Sequence, residues 1–132
     1  YNPSDERNLI TRIEIIRIRP QKQAGEKVGT LIEDPWLTHT CEPNQLGCTF
    51  DWVDPDYSAQ ARDTLYYVRA IQEPSDAINA NNLRCEYDND GNCIKVNPCY
   101  GDYRSDKTDE CLSSTEERAW SSPIYLQFAP NN

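Results

Sequence analysis

The sequence predicts an all-β protein, a small antiparallel β-sandwich with long disulfide-stapled loops. Three segments have apolar side chains at alternate positions, and no stretch shows the 3.6-residue spacing of an amphipathic helix. Nine prolines against five glycines also argue against long helices. A chain of 132 residues is long enough for one modest hydrophobic core, so we expect a single domain over residues 1–132.

The first strand is predicted at residues 11–19, TRIEIIRIR. Ile13 and Ile15 share one face of this strand, whereas Ile16 and Ile18 share the other. The alternation slips between Ile15 and Ile16. Such a slip indicates either a β-bulge or a strand that is buried on both faces.

Residues 28–37 predict a weaker strand, which the Asp34-Pro35 pair should break, because proline cannot donate to a strand ladder. The run DTLYYVRAIQE, residues 63–73, is a stronger candidate. It carries apolar side chains on both faces, which is typical of a strand in the centre of a sheet.

The last strand is predicted at residues 123–128, PIYLQF, with Ile124, Leu126 and Phe128 facing inward. The preceding stretch, residues 74–122, has few aliphatic side chains. An unstructured loop of that length is unusual in a compact domain, so we expect disulfides to hold it in place.

One stretch in this region, CEYDNDGNC from Cys85 to Cys93, predicts a β-hairpin closed by a disulfide. Asp-Gly is among the strongest turn signals of a hairpin. The alternative is a calcium loop, with Asp88 and Asp90 as weak candidate ligands. The calcium template requires a glutamate at its end, where this sequence has Asn97. We therefore favour the hairpin.

Six cysteines in a short chain indicate disulfides and an oxidising, extracytoplasmic compartment, either secreted, periplasmic or at the cell surface. A zinc cluster is poorly supported, because no C-x-x-C pair occurs and the chain has one histidine. Other connectivities are open, but pairing between sequence neighbours is preferred. The expected pairs are Cys41–Cys48, Cys85–Cys93 and Cys99–Cys111.

The formal net charge of −9 is unevenly distributed. Residues 1–40 carry six basic and six acidic side chains, whereas residues 41–132 carry seven and sixteen. Such an acidic surface repels nucleic acid and anionic membranes, and no apolar run approaches the length of a membrane span. The chain begins at Tyr1 without a signal-like segment. Since disulfide formation requires export, we expect an export signal upstream: either it was cleaved just before Tyr1, or the chain is the C-terminal part of a longer secreted protein.

Conventional catalytic chemistry has one candidate base, His39. This residue lies in the segment LTHTC, next to an expected disulfide, so we interpret it as a solvated loop histidine. Nothing else in the sequence converges on this histidine, and we therefore predict no catalytic residue and no enzyme activity for this chain.

The segment FDWVDPDY places Asp51, Asp54 and Asp56 close together. Paired carboxylates can bind a cation or hydrolyse glycosides, and Asp54 and Asp56 are weak candidate calcium ligands. More commonly, Asp-Pro-Asp forms a turn in which an aspartate bonds to its own backbone. Trp52 and Tyr57 beside these residues could form a sugar-stacking platform.

Several longer motifs carry a family resemblance. They are LYYVRAIQEP, LRCEYD followed by GNC, NPCYGDYR and EERAWSSPI, with IEIIRIRPQ and LIEDPW nearer the start. Taken in chain order, from about residue 8 to residue 128, these motifs resemble the C-terminal end of bacterial proteins of domain-of-unknown-function family thirty-six-oh-four. Members of that family resemble PHP-type metal-dependent phosphoesterases, with histidine and carboxylate ligands in an N-terminal catalytic domain. The single histidine here departs from that pattern, so no metal ligand can be carried over.

Three functional hypotheses follow. The resemblance implies a non-catalytic domain accessory to a PHP-like hydrolase, with its own catalytic domain as the partner. Exposure of Ile16, Ile18, Trp36 or Trp52 would support this hypothesis. The second is a self-assembling subunit of an extracellular filament or surface assembly, with identical subunits as partners. The third is a calcium- or carbohydrate-binding module.

Overall fold

The structure, a computed structural model, describes residues 7–44 and 46–129. Its strands pair in antiparallel fashion, which confirms the all-β class, while the sandwich arrangement and the single domain stay predictions. The strands are β1 (Ile10–Ile18), β2 (Ile32–Thr40), β3 (Thr64–Gln72), β4 (Ser75–Ile78), β5 (Glu86–Tyr87), β6 (Cys93–Lys95), β7 (Leu112–Thr115), β8 (Arg118–Trp120) and β9 (Ile124–Leu126). The helical segments are short, namely a 3₁₀ turn (Val28–Thr30), α1 (Tyr57–Gln60) and α2 (Ala80–Arg84).

The chain divides into two compact units, and each is described by itself. The first unit comprises Tyr1–Glu73 and Arg118–Asn132, and the second comprises Pro74–Glu117. In the first unit, the sheet has the strand order β2-β1-β3-β8, and β9 also pairs with β3. The strand predicted to be central, β3, therefore lies inside the sheet.

The bulge expected in β1 at Ile15 and Ile16 lies on its partner instead, because the β1–β2 register shifts there through additional residues on β2, while β1 pairs regularly with β3 from Arg12 to Ile18. The break expected in β2 is wrong, since this strand continues through Asp34 and Pro35, which are joined by a cis peptide bond. Ile15 pairs with Leu37 and Arg17 with Glu33, so three residues of β2 face a single residue of β1. Proline is tolerated there because the ladder is already interrupted.

The inward orientation expected for β9 is also wrong. Ile124 and Leu126 are 58% and 40% exposed, and only Phe128, beyond the strand, is half-buried. These side chains remain exposed because β9 is a strand of only three residues at the outer side of β3. The buried side chains of this unit include Ile16, which is fully inaccessible, and Ile71.

A short interruption, Ser121 to Pro123, separates β8 from β9 along the same edge of β3. The Ser121 backbone N–H donates to the Val68 carbonyl over 2.9 Å, and the Val68 N–H donates to Ser121 Oγ over 3.0 Å. The Ser121 hydroxyl thus accepts the hydrogen bond that a backbone carbonyl would accept in a regular ladder. As a result, β8 and β9 lie one after the other along the same edge of β3.

In the second unit, β4 pairs with β7 and β5 pairs with β6. The predicted hairpin is confirmed by the β5–β6 pairing, in which Glu86 faces Lys95 and Tyr87 faces Cys93. Its turn contains Gly91 at a φ of +81°, and the Gly91 N–H donates to the carbonyl of Asp88 over 3.1 Å. A glycine is suited to this turn because L side chains rarely adopt a positive φ.

The structure contains three disulfides, in the pairing expected from sequence order. The pairs are Cys41–Cys48, Cys85–Cys93 and Cys99–Cys111, with Cα–Cα distances of 5.7, 5.7 and 5.4 Å. No cysteine is left free. Two of these bonds lie in the second unit, which has few buried apolar side chains among its described residues.

The sequence did not indicate the conformation of α2. Asn81, Asn82 and Leu83 have φ values between 51° and 59°, in the left-handed region. Asparagine tolerates this region better than most residues, whereas leucine is disfavoured there by about 1–2 kcal/mol. Backbone bonds stabilise the turn, since the Cys85 N–H donates to the Asn81 carbonyl over 2.9 Å and the Asn97 N–H donates to the Leu83 carbonyl over 3.0 Å.

Candidate functional site

The candidate site lies in the first unit and is built around a buried cation, Arg17 of β1. Arg17 is 4% exposed. Its Nε and Nη2 donate to the two carboxylate oxygens of Glu33 on β2 over 2.7 and 2.9 Å. Its Nη1 donates to Asp54 Oδ2 over 2.8 Å. A guanidinium can remain buried in this way because two carboxylates satisfy its charge and its hydrogen-bond donors.

Aromatic rings surround this cation. The Arg17 Cζ atom lies 4.0 Å from the ring centroid of Trp36, which is a cation–π distance. Trp52 stacks on Trp36 with centroids 4.7 Å apart and planes 20° apart, and Tyr66 meets Trp36 at 5.8 Å in a tilted geometry. Trp36 is one of the three residues of β2 that lie at the register shift, beside the position where Arg17 pairs with Glu33.

The polar groups of the site are engaged with one another. Asp54 Oδ2 also accepts the Tyr66 hydroxyl over 2.5 Å. Burial alone would raise the pKa of Asp54, but the hydrogen bonds from Tyr66 and Arg17 outweigh it and hold this pKa below its ordinary value. Burial and the bond to Asp54 raise the pKa of Tyr66, so the phenol stays protonated. Burial disfavours the charge on Arg17, yet the bonds to Glu33 and Asp54 raise its pKa.

Beside this network runs an apolar groove of about 410 Å³, which we call the aromatic groove. Its aromatic lining consists of Trp36, Trp52, Tyr57 and Tyr66. On one side it is bounded by apolar residues that include Ile124 and Leu126 of β9. The Nε1 atom of Trp52 is buried and has no hydrogen-bond partner in the described part of the chain. The groove therefore presents aromatic faces, while the Nε1 donor of Trp52 is inaccessible.

The acidic segment predicted from the sequence forms part of this site. The Asp56 N–H donates to Asp54 Oδ1 over 2.9 Å, which is the self-bonded turn expected of Asp-Pro-Asp. Asp51 and Asp56 are exposed, whereas Asp54 faces the cation. Trp52 and Tyr57 line the same groove, as a stacking platform requires. The ion pair with Arg17 leaves little capacity at Asp54 for calcium.

The other weak calcium candidates, Asp88 and Asp90, lie in the hairpin turn of the second unit. Asp88 Oδ1 accepts the backbone N–H groups of Asp90 and Asn92 over 3.0 and 2.8 Å. These bonds, with Asn92 contributing most, lower the pKa of Asp88. Within residues 7–44 and 46–129, no three histidine, cysteine or acidic side chains are grouped as a metal site would require.

The loop position expected for His39 is wrong. His39 lies in β2, opposite Ile13 of β1, because β2 continues as far as Thr40. Its imidazole stacks on Phe50 with ring centroids 4.3 Å apart and planes 11° apart. The histidine therefore contributes to packing beside the Cys41–Cys48 loop.

Fold and cysteine pairing define the class of this protein as a disulfide-stabilised, antiparallel all-β domain. Three disulfides are consistent with an oxidising compartment outside the cytoplasm. Comparison with known proteins found no match to a family model, a curated protein or a solved structure. The resemblance to family thirty-six-oh-four stays a prediction. Among the helices of the described residues, none is long and apolar enough to cross a membrane.

Proposed function

We propose that the chain is a non-catalytic, extracytoplasmic β-domain that docks on another protein domain, and that its partner is the catalytic domain of a PHP-like hydrolase. One observation carries the proposal. Among the described residues, five hydrophobic residues are buried, whereas sixteen large ones are exposed. Exposed apolar side chains are ordinary when scattered, but Ile124, Tyr125 and Leu126 are consecutive and exposed in one outer strand, which favours an interaction surface.

Both units contribute to this exposed set. In the first unit, Trp120, Ile124 and Tyr125 lie on the outer strands of the sheet. In the second unit the exposed set is Ile78, Leu83, Tyr87, Ile94, Val96, Tyr100, Tyr103 and Leu112. From the sequence, the docking interface was expected at Ile16, Ile18, Trp36 or Trp52. Ile16 is buried, and Ile18, Trp36 and Trp52 are half-buried, so the proposal depends on the outer strands instead.

The chemistry of the site also favours a non-catalytic role. A general acid or base needs a proton-exchanging group that can reach a substrate. Here the Asp54 carboxylate is bonded to Arg17 and Tyr66, and the His39 ring is covered by Phe50. The partner assignment itself comes from the motif resemblance and not from the geometry.

The second hypothesis is a self-assembling subunit of an extracellular filament or surface assembly. The same exposed strands could contact identical subunits. Each copy carries a net charge of −9, however, and like charge opposes self-association at low ionic strength. We therefore rank docking on a different domain above self-assembly.

The third hypothesis, a calcium- or carbohydrate-binding module, receives unequal support. The two tryptophans and two tyrosines of the aromatic groove are suited to stacking on a sugar ring. Calcium binding is less favoured for two reasons. Asp54 forms an ion pair with Arg17. In the hairpin turn that also contains Asp90, the Asp88 carboxylate already accepts a hydrogen bond from the Asn92 backbone N–H.

Light scattering behind a sizing column separates the hypotheses. The unreduced chain is run alone and then with a separately produced PHP-like catalytic domain of the family it resembles. We expect a mass near 15.2 kDa alone and a one-to-one complex with that domain. Material at the void volume would replace docking with self-assembly. A monomer that binds no such catalytic domain would refute the assignment of the partner.

A further inference from the structure

The outer strand β9 has an unused edge. It pairs with β3 through Leu126–Thr64, Tyr125–Leu65 and Ile124–Tyr66. Among the described strands, none pairs with its other side. Tyr125, at the centre of the strand, is 74% exposed. An exposed apolar edge with free backbone groups is a template for a further strand.

Apolar grooves lie on both faces of the sheet beside this edge. Successive residues of a strand point to opposite faces, so Leu65 and Tyr66 of β3 define two sides. The Leu65 side carries a groove of about 600 Å³, whose lining includes Ile18, Tyr125 and Leu126. The Tyr66 side carries the aromatic groove, which Leu126 also lines. A strand added beyond β9 would find apolar walls on both sides.

We propose that β9 is a strand-addition site, at which an extended segment of the partner domain pairs with the chain and inserts alternate side chains into the two grooves. This inference deepens the proposed function and rests on it. Main-chain bonds to β9 would provide affinity, and the grooves would select the side chains. The interruption at Ser121 to Pro123 restricts pairing to a short segment, because Pro123 has no N–H to offer.

The chemistry of the site specifies the occupant. Both faces of the added strand would be covered, so the segment should be apolar at consecutive positions, as in a strand buried on two sides. Its flanking residues should be basic or neutral, because the chain carries a net charge of −9. A second copy of the chain would bring like charge to the same edge, which disfavours it as the occupant.

A synthetic peptide, Lys-Lys-Val-Ile-Val-Ile-Lys-Lys, is the probe. It is titrated into the full, unreduced, nitrogen-15-labelled chain while the amide resonances are followed by NMR. We expect shifts at Ile124, Tyr125 and Leu126, slowed hydrogen exchange at those β9 amides whose N–H points away from β3, and a shift of the Trp52 indole. A peptide with proline in place of its first isoleucine cannot complete the ladder, and we expect it not to bind.

Two variants provide the matched control, since Ile124 and Ile94 are both exposed strand isoleucines. We expect Ile124→Ser to weaken peptide binding about fivefold or more, through lost apolar contact, and Ile94→Ser to leave it unchanged. Equal binding of the proline peptide, or shifts away from β9, would overturn the inference.

The two proposals fail differently. A catalytic domain that binds while the peptide does not would overturn strand addition and leave the docking proposal standing. A peptide that binds at β9 without any catalytic-domain complex would support the site and refute the partner. Self-association of the chain that is lost in Ile124→Ser would assign the edge to a second copy and overturn the proposed occupant.

Discussion

Replacing Asp54 with alanine removes the carboxylate that joins Arg17 to Tyr66. Asp54 Oδ2 accepts from Arg17 Nη1 over 2.8 Å and from the Tyr66 hydroxyl over 2.5 Å. After the substitution, Arg17 keeps its two bonds to Glu33. It nevertheless remains a buried cation with one donor unpaired, and the phenol of Tyr66 loses its acceptor.

The expected cost follows from this geometry. Removing one partner of a buried ion pair costs about 3–5 kcal/mol when the other charge is left uncompensated. The bonds between Arg17 and Glu33 retain part of the compensation, so we expect Asp54→Ala to lower the free energy of unfolding by about 2–4 kcal/mol. At about 3–5 °C per kcal/mol for a chain of this size, a loss near the middle of that range lowers Tm by about 10 °C.

Urea unfolding followed by tryptophan fluorescence measures this loss. The three tryptophans all lie in the first unit, so the signal reports on the unit that contains the site. Asp51→Ala is the matched control, because Asp51 is exposed in the same segment, and we expect it to change stability by less than about 0.5 kcal/mol. If Asp54→Ala were no more destabilising than Asp51→Ala, the network would not stabilise the fold and the reasoning would be wrong.

Three further predictions concern pH, a turn and a disulfide. Because the folded-state pKa of Asp54 is lowered from 3.8, its contribution is complete above that value and is lost as the pH falls through the lowered pKa. The urea midpoint of unfolding is measured at several pH values between about pH 6 and pH 2. As the pH falls, this midpoint should decrease less steeply in Asp54→Ala than in the native chain. An equal decrease in both proteins would contradict the prediction. Gly91→Ala should cost about 1 kcal/mol in thermal unfolding by circular dichroism, because φ is +81°. Gly29→Ala, where φ lies outside the positive range, should change little, and equal effects would argue against the turn conformation. Replacing Cys99 and Cys111 together by serine should cost about 3 kcal/mol and speed hydrogen exchange at the β4–β7 amides, whereas unchanged exchange would show that this disulfide does not stabilise the second unit.

The strands with strong alternation could be predicted from the sequence, but those without it could not. β1 and β3 contain enough isoleucine, valine, leucine and tyrosine for the period of two to be read directly. β4 and β7 read SDAI and LSST, with too few apolar side chains for a strand pattern. Their pairing depends on tertiary context, so for this region the sequence predicted only that disulfides would hold it in place. The left-handed turn at α2 likewise shows only as a cluster of asparagines.

Only those residues of the candidate site that are close together in the sequence could be predicted. Trp52, Asp54 and Tyr57 are neighbours in the sequence, and their types suggested a platform beside a carboxylate. Arg17 lies in β1 and Trp36 in β2, both far from that segment in the sequence. Their contact depends on the irregular register between these two strands. The alternation slip in β1 showed that this region is irregular, but it did not show that the additional residues lie on β2 or which side chains they bring together, because these depend on how the two strands pair.

The order of the cysteines has a consequence for how the protein matures. The three bonds join partners 7, 8 and 12 residues apart, and each closes its loop before the next one begins. Closing a short loop costs less entropy than closing a long one, so loop length alone would favour the non-native pair Cys93–Cys99, which are 6 residues apart, over the native partners of both. In a chain that is oxidised as it emerges, Cys93 meets Cys85 before Cys99 follows, so each native bond can close within its own segment. Oxidative refolding of the complete chain lacks this order of emergence, so a disulfide isomerase should speed the recovery of the native pairs.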